Sequence, residues 1–477
     1  MCIWYALELE ESDMSSPDSR SSTETIQRKE GTPISRAMRP LNNLVERFIP
    51  SALVFSILLT FVVVILALIL TDTAPGDLVL HWGDGLAGLL DFITQMALIL
   101  LFGHMLANTG PVRRGLAFLG GVPRTELAAY VFVFLVAALA SLITWGLGLV
   151  VGALLAREVA YQGDQRGLKL HFPMLVASGF AGFVVWHMGY SASGPLTAAT
   201  PDSFLAESLG GETVPISQTV FSGWNMIAAV VTILVVGLSL YLIAPRKGDK
   251  ITQLTVDIRQ QADDGQEEVV TPADRLDASR IVTLLLGLML VVYLVLHFAQ
   301  GGTLTLDTVN WSFLALILLL VRNPFELIAL TKNAAANVGE ILLQFPLYAG
   351  ILGLMVGSGL IQVFSDAFVS ISNPTTFGLL AFLSAGLVNF FVPSGGGQFA
   401  VQGPIMLSAG AELGVAPEIT IMAVAYGDQW TNMIQPFWAI PLLAIAGLKM
   451  RDILGYTTIV LLASGVVFGA TLLIVSL

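Results

Sequence analysis

The sequence predicts an all-α polytopic membrane protein built from two inverted repeats. Three observations predict this fold class: apolar blocks of membrane-spanning length, basic residues confined to some of the intervening segments, and the same pattern in both halves. Of the 477 residues, 55% are apolar and only 12% are charged, against about 25% charged in soluble domains. A helix satisfies the backbone of such blocks in lipid.

Composition also excludes several function classes. The net charge of −12, without a basic stripe, argues against a nucleic-acid partner. The single cysteine, Cys2, excludes a disulfide framework or a multi-cysteine metal site, and nothing in the sequence calls for a cofactor. Residues 1–48 are polar and lack the pattern of a cleaved signal peptide, so we expect a disordered cytoplasmic tail.

Eleven apolar blocks follow this tail, and nine of them are interpreted as single crossings. The other two, Leu127–Ala156 and Phe377–Gly410, are too long for one ordinary crossing and have glycines in the middle. The nine single blocks are Pro50–Thr71, Leu86–Leu106, Phe172–Tyr190, Ile216–Ile243, Ile281–Phe298, Val309–Val321, Val338–Ile361, Ile419–Gly447 and Ile453–Leu477.

The distribution of basic residues decides how the two long blocks are folded. Lys and Arg mark cytoplasmic loops. With the N-terminus inside, all basic residues after the tail lie on the cytoplasmic side only if both long blocks are re-entrant helical hairpins. The first hairpin, 127–156, then opens to the cytoplasm, and the second, 377–410, opens to the outside.

The two halves resemble each other at a shift of 248 positions, which aligns hairpin with hairpin and the following helix with the following helix. Because the charge pattern gives them opposite orientations, we predict the inverted-topology repeat that is typical of secondary transporters. The predicted units are a first repeat at 49–243, a cytoplasmic linker at 244–280, a linking helix with an external loop at 281–308, and a second repeat at 309–477.

The tip of the second hairpin carries three consecutive glycines after Pro393 and Ser394. Glycine lets the backbone turn and approach a ligand closely. The half-helix beyond would aim free N–H groups and its positive dipole end at the tip, which suits an anion; the alternative is tight helix packing. The predicted substrate-binding residues, including the matching tip of the first hairpin, are Asn389, Ser394, Gly395, Gly396, Gly397, Gln398, Thr144, Gly146, Gly148 and Ser193.

Asp428 lies deep inside a predicted crossing, where an acidic residue is costly and usually functional. The polar residues and the proline that follow it predict an unwound helix. His187 lies in the corresponding segment of the first repeat and is either a proton relay or a structural donor. The alternative for the polar residues around Asp428 is a structural cluster that hydrogen-bonds neighbouring helices. The predicted coupling-ion residues, for Na⁺ or H⁺, are Asp428, Thr431, Asn432, Gln435, Ser141 and His187.

No Lys or Arg falls within a predicted crossing. An anionic substrate would therefore be held by helix N-termini, hydroxyls and amides. This favours a small monocarboxylate over a multiply charged ligand.

Four segments carry a resemblance to a known family: VPSGGGQFAVQGPIM, YGDQWTNMIQPFWAIPLLAIAGLKMRDILGY, VVWHMGYSASGPL and WGLGLVVGALLARE. They are similar to the bacterial short-chain fatty acid transporters (AtoE type) of the ion transporter superfamily, from about Arg47 to the C-terminus. The resemblance implies transport of acids such as butyrate or acetoacetate. It also implies homodimers in which a transport domain, carrying the hairpin tips and the Asp428 segment, moves like an elevator against a scaffold domain.

We therefore expect a cation-coupled secondary transporter, a symporter, in the cell membrane with a cytoplasmic N-terminus. The alternatives are a carrier of another organic anion, a cation/proton antiporter using Asp428, a channel, or an intramembrane enzyme. An aspartyl protease needs two embedded acids that share a site. A Ser–His protease needs an activated serine, for which Ser394 and His187 have no supporting motif.

Overall fold

The computed structural model describes residues 52–245, 251–254, 271–336, 338–390 and 392–477. Within these ranges the ordered elements are helices and no residue is in a β-strand. The predicted tail, 1–48, and most of the predicted linker, 244–280, lie outside the described residues. The all-α class is therefore confirmed for the part of the chain that is described.

Twenty α-helices follow one another in the described residues. Short 3-10 segments at Gly182–Met188 and Asn432–Ile434 extend α7 and α18. In chain order, the helices are α1 Ala52–Leu70, α2 Pro75–Gly85, α3 Leu90–Asn108, α4 Gly110–Gly120, α5 Glu126–Ile143, α6 Trp145–Gln165, α7 Phe172–Ala181, α8 Ser193–Ala199, α9 Gly223–Ile243, α10 Pro272–Asp277, α11 Arg280–Ala299, α12 Leu306–Leu320, α13 Pro324–Ala335, α14 Gly339–Ser358, α15 Leu360–Ile371, α16 Pro374–Asn389, α17 Gly395–Glu412, α18 Pro417–Thr431, α19 Pro436–Ala446 and α20 Met450–Val475.

Eight helical segments in the described ranges are long and apolar enough to cross a membrane. They belong to α1, α3, α5, α7 with its extension through α8, α9, α11, α14 and α20. α12, α15 and α16 are apolar but shorter. Their number and length identify a multi-pass membrane protein.

Each of the two long apolar blocks consists of two helices that pack against each other. α5 and α6 reverse direction at Thr144, where Gly148 lies so close to Ser141 that a Cβ at Gly148 would be 2.8 Å from the Ser141 Cα. α16 and α17 reverse between Asn389 and Gly395. The membrane side to which each hairpin opens stays a prediction.

The helices of the two halves follow the same order at the shift found in the sequence. α5–α6 and the broken pair α7–α8 of the first half match α16–α17 and α18–α19 of the second. The contacts between the two halves are also matched. α3 of the first half packs on α12 and α13, and its counterpart α14 in the second half packs on α1 and α2. The opposite orientation of the two halves is a prediction that these contacts support.

The helices form two packing groups. The hairpin group consists of α5–α9 and α16–α20, in which α5 packs on the 3-10 segment after α7, and α16 packs on α18. The frame group consists of α1–α3 and α11–α14, joined by the contacts of α12 and α14. The two groups meet where α3 packs on α6 and α14 packs on α17, so both hairpins reach the boundary between the groups.

Two stretches that lie between the predicted crossings contain packed helices. The stretch Asp72–Gly85 includes α2, which packs on α14. The stretch Ser191–Pro215 begins with α8, all of whose residues are buried. α8 can be buried because most of its residues are small. At Gly194 the ring of Phe399 from α17 packs so closely that an added Cβ would lie 2.5 Å from Cδ2 of Phe399.

Candidate functional site

A cavity of about 180 Å³ lies where the two hairpin tips meet α3, α14 and α19. A single water needs roughly 10–15 Å³ of such space, so the cavity has room for a small organic molecule. Both packing groups contribute to its wall. The lining residues are Met96, Leu100, His104, Trp145, Gly146, Leu149, Val150, Trp186, Ser193, Ala336, Ile341, Gln344, Phe345, Pro393, Ser394, Gly395, Gly396, Phe437, Trp438 and Ile440.

The second hairpin tip presents the N-terminus of α17 to this cavity. Ser394 is the N-cap, and its Oγ accepts a hydrogen bond from the Gly397 N–H at 3.2 Å. In the described structure the N–H groups of Gly395 and Gly396 have no hydrogen-bond acceptor. A ligand can satisfy such orphan donors at a helix start.

The glycines of this tip are required by close contacts with other elements. A Cβ on Gly395 would lie 2.8 Å from both Cε1 and Nε2 of His187, and a Cβ on Gly396 would lie 2.6 Å from Cζ of Phe92 in α3. Real Cβ contacts this short essentially do not occur. The tip therefore rests directly on the His187 segment of the first repeat and on the frame group.

The first hairpin tip presents the N-terminus of α6 to the same cavity through a turn of one residue, Thr144. The Trp145 N–H donates to Ser191 Oγ at 3.2 Å, whereas the Gly146 N–H has no acceptor among the described residues. Backbone packs closely on backbone here, since a Cβ on Gly103 of α3 would lie 3.3 Å from the Gly146 Cα. Two helix N-termini thus converge on one cavity.

The walls of the cavity are apolar and aromatic. The indole rings of Trp145 and Trp438 pack edge to face with centroids 5.5 Å apart, and Trp186 stands beside them. The lining residues of the described structure include no Lys or Arg. Helix N-termini favour negative charge, so the arrangement suits a ligand with one anionic end and a hydrocarbon end.

Asp428, His187 and Ser193 form a buried chain of polar groups beside this cavity. His187 Nδ1 lies 3.2 Å from Asp428 Oδ2, and both side chains are fully buried. His187 Nε2 lies 2.8 Å from Ser193 Oγ, and Ser193 lines the cavity. Neither carboxylate oxygen of Asp428 receives a hydrogen bond of good geometry from the described residues, so His187 is its close polar neighbour.

Asn389, at the end of α16, holds the unwound segment after α18. The two hydrogens of its Nδ2 are shared among three acceptors, the Asp428 backbone oxygen at 2.7 Å, Thr431 Oγ1 at 2.9 Å and Asn432 Oδ1 at 2.6 Å. Gln435 Nε2 donates to the Asn389 backbone oxygen. Five of the six predicted coupling-ion residues therefore fall in two places, with Asp428 and His187 in one and Thr431, Asn432 and Gln435 in the other.

The remaining predicted residues lie inside the hairpins rather than at the cavity. Gln398 Nε2 donates to the Ala385 backbone oxygen at 2.8 Å and joins the two arms of the second hairpin. Ser141 Oγ donates to the Ala137 backbone oxygen at 2.8 Å, opposite Gly148. Of the predicted substrate residues, Gly146, Ser193, Ser394, Gly395 and Gly396 line the cavity.

Several lining residues were not predicted as site residues, including Met96 and His104 from α3, Gln344 from α14, and Trp438 from α19. They are distant from the tips in sequence, and apolar residues in a membrane helix carry no signal of a site. His104, a polar residue in a mainly apolar helix, is a signal that the sequence does offer.

The chain is similar to known transporters over most of its length. The family model described as Short chain fatty acid transporter matches residues 33–475. A protein assigned as a short-chain fatty acid transporter in Escherichia coli K12 is 40% identical over 439 residues, covering 91% of this chain and 98% of that protein. Its counterpart in Haemophilus influenzae is 36% identical and covers 91% and 98%.

Solved structures of two other transporters share the fold. The YdaH transporter of Alcanivorax borkumensis has a TM-score of 0.55 at 16% identity, covering 88% of this chain and 98% of that one. MtrF of Neisseria gonorrhoeae, from a class of antimetabolite efflux pumps, has a TM-score of 0.55 at 15% identity and covers 91% and 97%. The family match and the identities confirm the resemblance: this chain belongs to the short-chain fatty acid transporter family.

Proposed function

We propose, with family membership as the premise, that this chain is a secondary active transporter of small monocarboxylates such as butyrate or acetoacetate. The observation that carries the proposal is the cavity between the two hairpin tips, on which two helix N-termini converge. Family membership favours a carrier over an enzyme. The proposed location is the cell membrane, with the N-terminus in the cytoplasm.

The chemistry of the cavity favours a singly charged acid. Unpaired N–H groups of Gly395, Gly396 and Gly146 and the hydroxyl of Ser394 provide donors for one carboxylate. Leu149 and Val150 also line the cavity and offer apolar contacts to a short hydrocarbon chain. A second or third carboxylate would meet these apolar walls and would lose its hydration without gaining a partner, which is costly.

Alternating access by an elevator motion is the proposed mechanism. It is supported by the division into a hairpin group, which carries both tips and the Asp428–His187 pair, and a frame group, which includes α3 and α14. Movement of the hairpin group along the frame group would expose the cavity to one side of the membrane and then to the other. We further propose that substrate movement is coupled to a cation, and that the frame groups of two chains form a homodimer.

Counterflow of labelled butyrate in proteoliposomes tests this function. Purified protein should exchange external labelled butyrate for internal unlabelled butyrate, and monocarboxylates should compete better than di- or tricarboxylates. Ser394→Ala should raise the butyrate concentration for half-maximal exchange several-fold, because α17 loses its cap and the cavity loses a hydroxyl, an interaction worth about 1 kcal/mol.

The matched control is Ser370→Ala on the exposed end of α15, which should exchange butyrate like the original protein. Protein-free liposomes correct for diffusion of the neutral acid. Preferred competition by dicarboxylates or tricarboxylates would contradict the proposed substrate class. Absence of counterflow with any short-chain acid would contradict the proposed function itself.

A further inference from the structure

The cavity is connected to the buried carboxylate of Asp428 by two side chains. Ser193 contributes to the cavity wall, its Oγ lies 2.8 Å from His187 Nε2, and the other ring nitrogen, Nδ1, lies 3.2 Å from Asp428 Oδ2. His187 also lies beneath Gly395 at the second tip. A change at the imidazole can therefore reach the cavity through one hydroxyl group.

The hydrogen-bond partners fix which ring nitrogen of His187 can change its proton. Nδ1 lies 3.0 Å from the backbone oxygen of Ala425, and a carbonyl oxygen only accepts, so Nδ1 carries a hydrogen in both protonation states. Nε2 is left to gain or lose a proton. When Nε2 is bare, the Ser193 hydroxyl donates to it; when Nε2 is protonated, it donates to Ser193 Oγ.

The charges around His187 leave Asp428 as its counterion. The segment Gly182–Met188 packs on α5, α6, α7, α9 and α18 and on the 3-10 segment Asn432–Ile434. Of the described titratable groups on these elements, Asp428 is the one that contacts His187. The other titratable groups form no hydrogen bond or ion pair with His187 in the described structure; they are Glu126, Tyr130, Arg157, Glu158, Tyr161, Asp164, Tyr241, Glu418 and Tyr426.

We propose that Ser193, His187 and Asp428 form a relay that couples the uptake of one proton to the binding of one carboxylate, which makes the coupling ion a proton. The inference rests on the proposed function and names its coupling ion. A proton from water on the loading side forms an N–H bond at His187 Nε2. The Nε2–H then donates to Ser193 Oγ, and the Ser193 hydroxyl turns to donate to the substrate carboxylate.

The charge balance explains why the two binding events would occur together. The bound carboxylate adds one negative charge and the imidazolium adds one positive charge, so the loaded site has the same net charge as the empty one. An unpaired charge is costly to bury, whereas a paired one is less so. Release reverses each step: the carboxylate leaves, Nε2 returns its proton to water, and Ser193 donates to Nε2 again.

Calorimetric titration of butyrate in buffers of different ionisation enthalpy tests this relay. The original protein should take up about one proton per butyrate, and its dissociation constant should rise about tenfold per pH unit over the range in which that proton is taken up. His187→Gln should bind butyrate without proton uptake and with no dependence on pH. The matched control, His297→Gln near the end of α11, should retain the full proton uptake.

Ser193→Ala provides a second variant if His187→Gln does not fold. It should bind butyrate more weakly and take up clearly less than one proton per butyrate, and Ser193→Thr should restore both values. Ser178→Ala removes a buried hydroxyl without a partner in the described residues and should change neither. Butyrate binding that requires Na⁺ and takes up no proton would overturn the relay, as would undiminished uptake in His187→Gln. Absence of butyrate binding would instead contradict the proposed function.

Discussion

Both hairpin tips place a helix N-terminus at the same cavity, but the two tips differ in what they pack against. The first tip is a single extended residue, Thr144, and packs with its backbone against the backbone of α3. At the second tip, the glycines that follow Ser394 pack against side chains, including those of His187 and Phe92. The first tip is packed against backbone, and the second is packed against aromatic side chains.

This difference indicates separate roles for the tips. Backbone-to-backbone packing has few alternative arrangements, so the first tip is suited to holding a fixed position. The second tip touches the imidazole of the proposed relay and a ring of the frame group, so a change in either can reach its free N–H groups. We infer that the second tip is the one whose contacts change during transport.

Gly395→Ala should produce the largest effect. The added methyl group would lie 2.5 Å from Cη2 of Trp186 and 2.8 Å from His187 Nε2, and overpacking of this kind costs about 1–3 kcal/mol. We expect butyrate counterflow to fall by about tenfold or more, since about 1.4 kcal/mol corresponds to a factor of ten. Gly115→Ala in α4, where nothing lies within 4 Å of the new Cβ, is the control.

Hydrogen bonds near the two tips should differ in a second quantity, their contribution to the free energy of unfolding. Asn389→Ala removes the side-chain NH2 group that three buried oxygens share as donor, so the free energy of unfolding should fall by about 2–4 kcal/mol. Ser191→Ala removes one bond, to the Trp145 N–H, and should cost about 1 kcal/mol. Denaturation of both variants in detergent measures the difference; equal losses would remove this distinction between the tips.

Gly146→Ala should have the smallest effect. Its Cβ would lie 3.6 Å from the Gly103 Cα, an ordinary van der Waals distance. We expect counterflow to stay within about tenfold of the original protein, which corresponds to less than about 1.4 kcal/mol. A loss as large as that of Gly395→Ala would mean that both tips are equally constrained, and the proposed division of roles would be wrong.

The sequence predicts the breaks in the chain better than it predicts what meets at them. Pro393 with the three glycines that follow Ser394, and the polar run from Asp428 to Pro436, mark interruptions that the structure contains. Such residues act on the local backbone, which is why they can be recognised in one sequence. The burial of α8 depends on Phe399 from the other half of the chain, and no local pattern reveals it.

The predicted coupling-ion residues show the same limit. Asp428 and His187 lie in corresponding segments of the two halves, and the structure brings them together. Thr431 and Asn432 lie near Asp428 in sequence but direct their oxygens toward Asn389. Side-chain direction at an unwound segment depends on neighbouring helices, so sequence distance alone does not decide which polar groups share a site.

Protection of a cysteine at the second tip tests most directly whether the carboxylate binds between the hairpins. Cys2 is the only cysteine, so Ser394→Cys in a Cys2→Ala background gives one reactive thiol at the cavity. We predict that butyrate slows its alkylation by N-ethylmaleimide at the concentrations that support counterflow, that citrate does not, and that Ser370→Cys reacts equally in all cases. Unchanged alkylation of Ser394→Cys by saturating butyrate, in a variant that still exchanges butyrate, would contradict the proposed site.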